Sequence, residues 1–592
     1  MLKFRFALLC MTVLAVTACG GETATGDTTP IGTSPGGSGG GSGGSGSGGS
    51  GSGSAAFYLP FVATSTGGGE TGLFVVPSDN LSSTPIFVTH TTATSQNVSV
   101  MGLSKQLSSS STNVVTSSSP YALIYAAVGS DGNAHIYALN LSNTSVAPSA
   151  TQVSSLSLSS MADICSVIGT AQTNVADPTT MFVVLHTNAG GASSCGAGGD
   201  VYQVVHYNDS SATDPTIVNI TPPMAPPGGT LTALYQSSGA LGGLVLLDSA
   251  TGNLDVYSDD TFTSPKVLTG GVSSWADMVD DSTVDNTGAV GATTAFLSVT
   301  TSSGTFVWRV TASGAAENVY TASGTLSVLG VADTNSVYFT DNALPGGTQT
   351  IYQEAIAGGT PLTLYSTTAT GLPPPSPYFL VGSNGTSLVV TVNSASTSGD
   401  VSTSVLTLPV GTPGTPTTIA GPFPGLVSAS MCPATFGDAT SDDLLVNVTQ
   451  GMPGNSPTSY SSEVLTPSGA VKQAVMANSA FLTTPNCGGG FGAVLQVRGI
   501  TDTSGGFGGA TANAFNLASF STTALSTTTG SGTYTVPSGD QLLVTFLSAN
   551  IGLGVVGPQP DGTSSPAGVA VDLSKSLIVT VSVPSSTVSL LL

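Results

Sequence analysis

The sequence predicts an all-β chain built by repeating one small antiparallel unit. Composition is the first reason. Only 7% of the 592 residues are charged, 76 are Gly, and Ser, Thr and Val are abundant. Such a chain is poor in strong helix formers and rich in strand and turn formers. The second reason is a short pattern at residues 122–139, ALIYAAVGSDGNAHIYAL, where two apolar runs flank Asp131-Gly132-Asn133. Gly accepts the positive φ of tight hairpin turns, so the stretch reads as a β-hairpin. The third reason is that this pattern recurs along the chain.

The first hairpin is FYLPFVATSTGGGETGLFVVP at 57–77, and 122–139 is the second. The third pairs 181–186 with 201–207, the fourth is 244–257, the fifth 295–310 and the sixth 337–365. The seventh joins 388–393 to 401–406, and the eighth joins 444–449 to 461–466. Weaker hairpins begin at Ala493 and Leu542. Their starts are roughly 40–65 residues apart, the range of four-stranded propeller blades. Flanking runs supply the remaining strands, as 325–331 and 360–365 do around the sixth hairpin. The expected architecture is a single β-propeller of about seven or eight blades over residues 55–592, hung from a Gly/Ser tether. The runs 577–583 and 587–592 are expected to finish it, and a closed ring leaves no exposed strand edge. Tandem β-sandwich domains made from the same hairpins are the alternative.

The sixth unit carries a family resemblance. Val337-Tyr338-Phe339, a polar turn, Ile351-Tyr352, and Gly358-Gly359-Thr360-Pro361-Leu362-Thr363-Leu364 follow in order. This series resembles the TolB-type (WD40-like) propeller repeat of periplasmic proteins, in which a strand and turn lead to an I-Y strand and a G-G-x-x-x-x-L exit. Units two and six match best, and the resemblance spans residues 57–480. The family's Ser-Pro-Asp-Gly turn is absent; Asp333-Thr334-Asn335 and Asn384-Gly385 stand in its place. The resemblance implies a fold and leaves the activity open, because one fold hosts many functions.

The N-terminus reads MLKFRFALLCMTVLAVTACGG. Lys3 and Arg5 form a basic region ahead of the apolar run 6–16, the pattern of an export signal. Val16-Thr17-Ala18-Cys19 resembles a bacterial lipobox. The resemblance implies that residues 1–18 are removed, that Cys19 carries acyl chains, and that Gly20 directs the protein to the outer membrane. Several acyl chains anchor stably where one binds only marginally. An ordinary signal peptide with a chance cysteine is the alternative. Residues 19–54 then form a lipidated N-terminus and linker, with an unbroken Gly/Ser run at 36–54 that cannot bury a core. As a random coil the linker reaches about 30–35 Å. Beyond residue 20 no apolar run approaches the ~18 residues that span a bilayer.

Loss of residues 1–18 removes Lys3 and Arg5 and no acid, leaving 6 basic against 31 acidic residues and a net charge of −25. That acidity repels phosphate backbones, so nucleic acid is not an expected partner. Cys10 leaves with the signal, and Cys165, Cys195, Cys432 and Cys487 remain for disulfides in an oxidising compartment. Sequence proximity favours Cys165–Cys195 and Cys432–Cys487 among the three pairings. The densest acidic run holds Asp255, Asp259, Asp260, Asp277, Asp280, Asp281 and Asp285. Asp277, Asp280, Asp281 and Asp285 are weak Ca²⁺ candidates; solvated rim loops are the plainer reading.

Other constellations are weaker. His90, His135, His186 and His206 are scattered, and pairing about the loop midpoint puts His186 and His206 on opposite sheet faces. Gly552-x-Gly554-x-x-Gly557 matches a dinucleotide fingerprint in form, but Pro558 and Pro560 prevent the helix it must open. The G-x-S-x-G match at Gly32–Gly36 lies in the tether, without the strand and helix a nucleophile elbow needs. Trp275 and Trp308 suit packing between blades or a stacking platform, and Arg309 and Arg498 are the only mature arginines. No catalytic set and no cofactor are expected. The functional expectation is a lipid-anchored binding or scaffolding module that presents a propeller rim to protein or glycan. A propeller hydrolase or lyase acting on polysaccharide or lactone, and a structural surface-coat protein, are the alternatives.

Overall fold

The computed structural model describes segments of the chain between residues 56 and 589. The longest stretches outside it are 1–55, 189–200, 220–230, 281–293, 434–443 and 481–492. The expected signal and tether, with Cys19, and His90 therefore lie outside the described residues.

The chain is all-β, as its composition predicts, and its described strands form ten sheets of four to six strands. We number the sheets 1 to 10 in chain order. Sheets 2 to 8 are four-stranded meanders whose strands lie side by side in sequence order, over residues 98–152, 164–219, 231–269, 272–321, 325–368, 376–424 and 426–475. Sheet 9 covers 479–524 and adds Thr535–Val536, and sheet 10 covers 526–581. Sheet 1 is assembled from both ends of the chain. Its N-terminal strands are Tyr58–Ser65, Thr71–Pro77 and Ile86–Phe87, and its fourth strand is Ser586–Ser589, with Val62 opposite Ser589 and Ser65 opposite Ser586.

The count corrects the expectation of seven or eight units. The hairpins at Ala493 and Leu542, the weakest in the sequence, grow into full sheets 9 and 10. Glycines obscured them by thinning the apolar alternation. Gly552 and Gly554 lie within the strand Ile551–Pro558, packed against the neighbouring strand Asp540–Phe546 so closely that a Cβ at Gly554 would run into the Leu543 carbonyl oxygen. This strand also settles the dinucleotide-like match, because those glycines pair in a sheet and open no helix. The single helical element among the described residues is a short 3₁₀ turn, Met161–Asp163.

Each sheet is too thin to bury its faces alone, so apolar residues gather between neighbours. Phe57, Leu59, Phe61, Leu553, Ala570 and Val579 share one cluster between sheets 1 and 10. Val75, Leu123, Tyr125 and Tyr137 join sheets 1 and 2, and Ile124, Ile136, Val183 and Leu185 join sheets 2 and 3. Phe296, Val307, Val337 and Phe339 join sheets 5 and 6, and Tyr338, Ile351, Val390 and Leu408 join sheets 6 and 7. Strands of every consecutive pair touch, and sheet 10 touches sheet 1. This is propeller-type packing, sheet against next sheet.

The hairpin at 122–139 forms as read. Ala122 lies opposite Asn140 and Val128 opposite Ala134, so a loop of residues 129–133 closes it. Gly132 sits at φ +82°, which a side chain would resist. Tyr125 and Tyr137 face each other across the strands with ring centroids 5.7 Å apart, and both are buried.

Candidate functional site

The most unusual polar geometry among the described residues lies between sheets 5 and 6. Strand alternation creates it. In the hairpin of Ser336–Asn342 with Thr348–Ala355, Val337 lies opposite Glu354, Phe339 opposite Tyr352, and Asp341 opposite Thr350. A period of two puts these residues on one face, and that face packs on sheet 5. Its middle is aromatic. Tyr320 of sheet 5 lies 5.0 Å from Phe339 and 4.8 Å from Tyr352 between ring centroids.

A carboxylate stands at each end of this aromatic layer. Asp341, at 3% exposure, accepts hydrogen bonds from the Tyr320 hydroxyl (2.8 Å), the Ser323 amide (2.8 Å), the Ser323 hydroxyl (2.9 Å) and the Gly324 amide (3.0 Å). These bonds tie sheet 6 to the chain leaving sheet 5. Burial, with Asp341 close by, pushes the Tyr320 phenol well above its usual range, so it stays a donor. Glu354, at the other end, is 1% exposed, and neither of its carboxyl oxygens has a hydrogen-bond partner among the described residues. Burial pushes its pKa up to about 7, the Glu317 charge adds to the rise, and Arg309 opposes it.

Glu317 and Arg309 face each other across two strands of sheet 5, Ala316–Thr321 and Gly304–Thr311, and form an ion pair at 3.3 Å. The loop after Glu354 completes the group. Gly358 and Gly359 hold φ of +91° and +153°, and a Cβ at Gly358 would sit 2.9 Å from a Glu317 oxygen. The Gly-Gly of the repeat's exit thus lets the chain pass close to the carboxylates. Chemically the group offers one buried proton site beside one ion pair.

The histidine hairpin is a bracing turn. His135 is 7% exposed; its Nε2 lies 3.0 Å from Asp131 and its Nδ1 3.1 Å from the Leu156 carbonyl oxygen. Asp131 also accepts from the Asn133 amide at 3.0 Å, and chiefly for that reason its carboxyl is held below the usual range. The ring therefore fastens the turn to the segment that follows the sheet.

The other sequence candidates fall as follows. Asp277 and Asp280 belong to the strand Val272–Asp280, and Asp255 to the strand Asn253–Tyr257, which corrects the reading of these three as loop residues. Asp277 occupies a bulge between Ala276 and Met278, where the ladder absorbs an extra residue without a turn. Asp281 and Asp285 lie outside the described residues. No group of three metal-ligating side chains occurs among the described residues. His186 lies opposite Tyr202 and His206 opposite Phe182. That even offset puts both positions on the same face, contrary to expectation, and about 13 Å apart along the strand. The strand runs on to Thr187, which pairs with Val201, and that one extra residue moves the register by one and brings the two positions onto the same face.

Cys165 is disulfide-bonded, and Cys432 lies in the strand Leu426–Pro433; Cys195 and Cys487 are outside the described residues. Trp275 and Trp308 both fall in sheet 5, where Trp308 is half-buried beside Arg309, and Arg498 lies in sheet 9. Glu317, Asp341 and Glu354 escaped the sequence reading. The available signal was Ile351-Tyr352-Gln353-Glu354, where alternation puts a carboxylate on the aromatic face.

No protein-family model matches the chain, and no curated protein sequence does. Among solved structures the chain is similar to TolB from Acinetobacter baumannii at 10% identity, over 63% of this chain and 80% of that one, with a TM-score of 0.23. It is similar to a eukaryotic initiation factor at 10% identity, over 88% and 95% of the two chains, with a TM-score of 0.37. Prolyl endopeptidases give 14% identity over 61% and 49%, with a TM-score of 0.30. Likeness at this level carries no residue from one chain to another.

Proposed function

We propose that the chain is an exported lipoprotein, acylated at Cys19 and held at the outer membrane, whose propeller is a non-catalytic binding or scaffolding module for protein or glycan. The observation that supports this reading most is the junction at Tyr58. The first strand begins just beyond the Gly/Ser run, and its free edge is taken by Ser586–Ser589. Both ends of the folded body meet in sheet 1, so one tether ahead of Tyr58 would carry the whole of it. The run of contacts from sheet 1 to sheet 10 and back fits a ring of ten blades, whose rim loops are the natural binding surface. Arg309, one of two arginines left after signal removal, is held by Glu317 and is a poor grip for an anionic substrate. We assign the disulfides as Cys165–Cys195 and Cys432–Cys487, which peptide mapping without reduction tests.

Lipid labelling, globomycin treatment and membrane fractionation test the anchor. Cys19→Ser should abolish labelling and release the chain, and unchanged fractionation of that variant would refute the anchor. For the binding role, the mature protein in detergent is mixed with envelope polysaccharide and envelope protein fractions. Saturable binding that leaves the material intact is expected. Cleavage of either fraction would instead favour the enzyme reading.

A further inference from the structure

We propose that Glu354 is a proton-controlled joint between sheets 5 and 6, neutral and closed when protonated, loosened when ionised. Desolvation sets the cost of a charge at this position. An ionised carboxylate taken out of water costs several kcal/mol unless donors or a counter-charge replace its hydration. Glu354 is 1% exposed and has no donor among the described residues. The charged groups facing it from sheet 5 are Glu317 and Arg309, already joined to each other at 3.3 Å. Tyr352 on its own strand and Tyr320 opposite are the next titratable groups along the face, followed by Asp341. The Gly358-Gly359 loop brings no charge.

Asp341 shows how this interface satisfies a buried carboxyl group. Four donors converge on it, and they hold that end whatever happens at the other. Ionisation of Glu354 therefore opens one end of the joint, with the Asp341 end as the fixed side. The sign follows from linkage. The folded pKa of about 7 lies above the ordinary value of 4.5, so the closed state binds the proton more tightly. Its contribution is complete below 4.5, falls as pH rises, and is gone above about 7. This device belongs to the fold and does not depend on the membrane anchor.

Hydrogen exchange of the mature protein, corrected for intrinsic rates, tests it between pH 4.5 and 8. Protection in Thr348–Ala355 and in Gly304–Thr311 should fall by up to about tenfold per pH unit up to pH 7 and then level off. Trp275 and Trp308, the only tryptophans, both lie in sheet 5, so their emission should shift in the same window. Glu354→Gln should flatten both curves, and Glu317→Gln should move the upper limit of the window to lower pH. Identical pH curves for the wild type and Glu354→Gln would overturn the proposal. So would millimolar Ca²⁺ restoring protection at pH 8 in the wild type alone, because a metal and not a proton would then close the joint.

Discussion

Asp341 and Glu354 are buried in the same interface, at 3% and 1% exposure, yet Asp341 accepts four hydrogen bonds and Glu354 accepts none among the described residues. The pair shows how sheets 5 and 6 are fastened. One end is tied through a carboxyl whose acceptors are satisfied, and the other holds a carboxyl without a donor among the described residues, its pKa pushed up to about 7 by burial.

Asp341→Ala should be among the most destabilising substitutions in these sheets. It strands the Tyr320 hydroxyl and the Ser323 and Gly324 amides, and hydrogen bonds to a charged acceptor contribute about 1.5–3 kcal/mol each. A loss of ~3 kcal/mol or more is expected by urea denaturation. Tyr320→Phe removes one donor only and should lose about half as much.

Gly554→Ala should lower the melting temperature even though Ala is the smallest addition. The new methyl would meet the Leu543 carbonyl oxygen and the Val544 side chain, so the two strands must separate. Overpacking of this kind costs about 1–3 kcal/mol. Gly132→Ala, with open space around it, pays only for its positive φ, about 1 kcal/mol. Comparing the two by thermal unfolding separates crowding from backbone strain.

Deleting residues 586–592 should expose the edge at Val62–Ser65 and remove Val588, which packs against Gly568 of sheet 10. An unpaired edge invites association with other chains. Light scattering of the truncated protein should show aggregation. Val588→Ala keeps the strand and should cost about 1–2 kcal/mol. A truncated protein that stays monomeric with the same melting temperature would mean that this strand does not hold the ends together.

His135→Ala should loosen the second hairpin by roughly 1–2 kcal/mol, since it removes the brace between Asp131 and the Leu156 carbonyl oxygen. Asn133 still bonds Asp131, so the loop should keep its conformation. Exchange of the Ala134 amide, which donates to Leu158, is the local measurement.

Much of the fold was legible because its signals are short-range. Alternation and turn chemistry are written in residues a few places apart, as at Asp131-Gly132-Asn133, and every hairpin read from the sequence appears as a paired set of strands. Reading failed where the signal was diluted or where a strand ran one residue beyond its apolar run, as at Thr187. Gly552 and Gly554 weakened the signal of sheet 10, and the 186–202 register placed two histidines on one face.

By itself the sequence determined the all-β class, the repeating unit and the place of each hairpin, because each depends on neighbours along the chain. Only tertiary structure decided that Ser589 pairs with Val62, that ten sheets follow one another, and that Glu354 is buried beside Glu317 while Asp341 is caged. The physical reason is distance. A carboxylate's hydration, partners and charge neighbours come from whichever sheet packs against it, and no local pattern specifies that face.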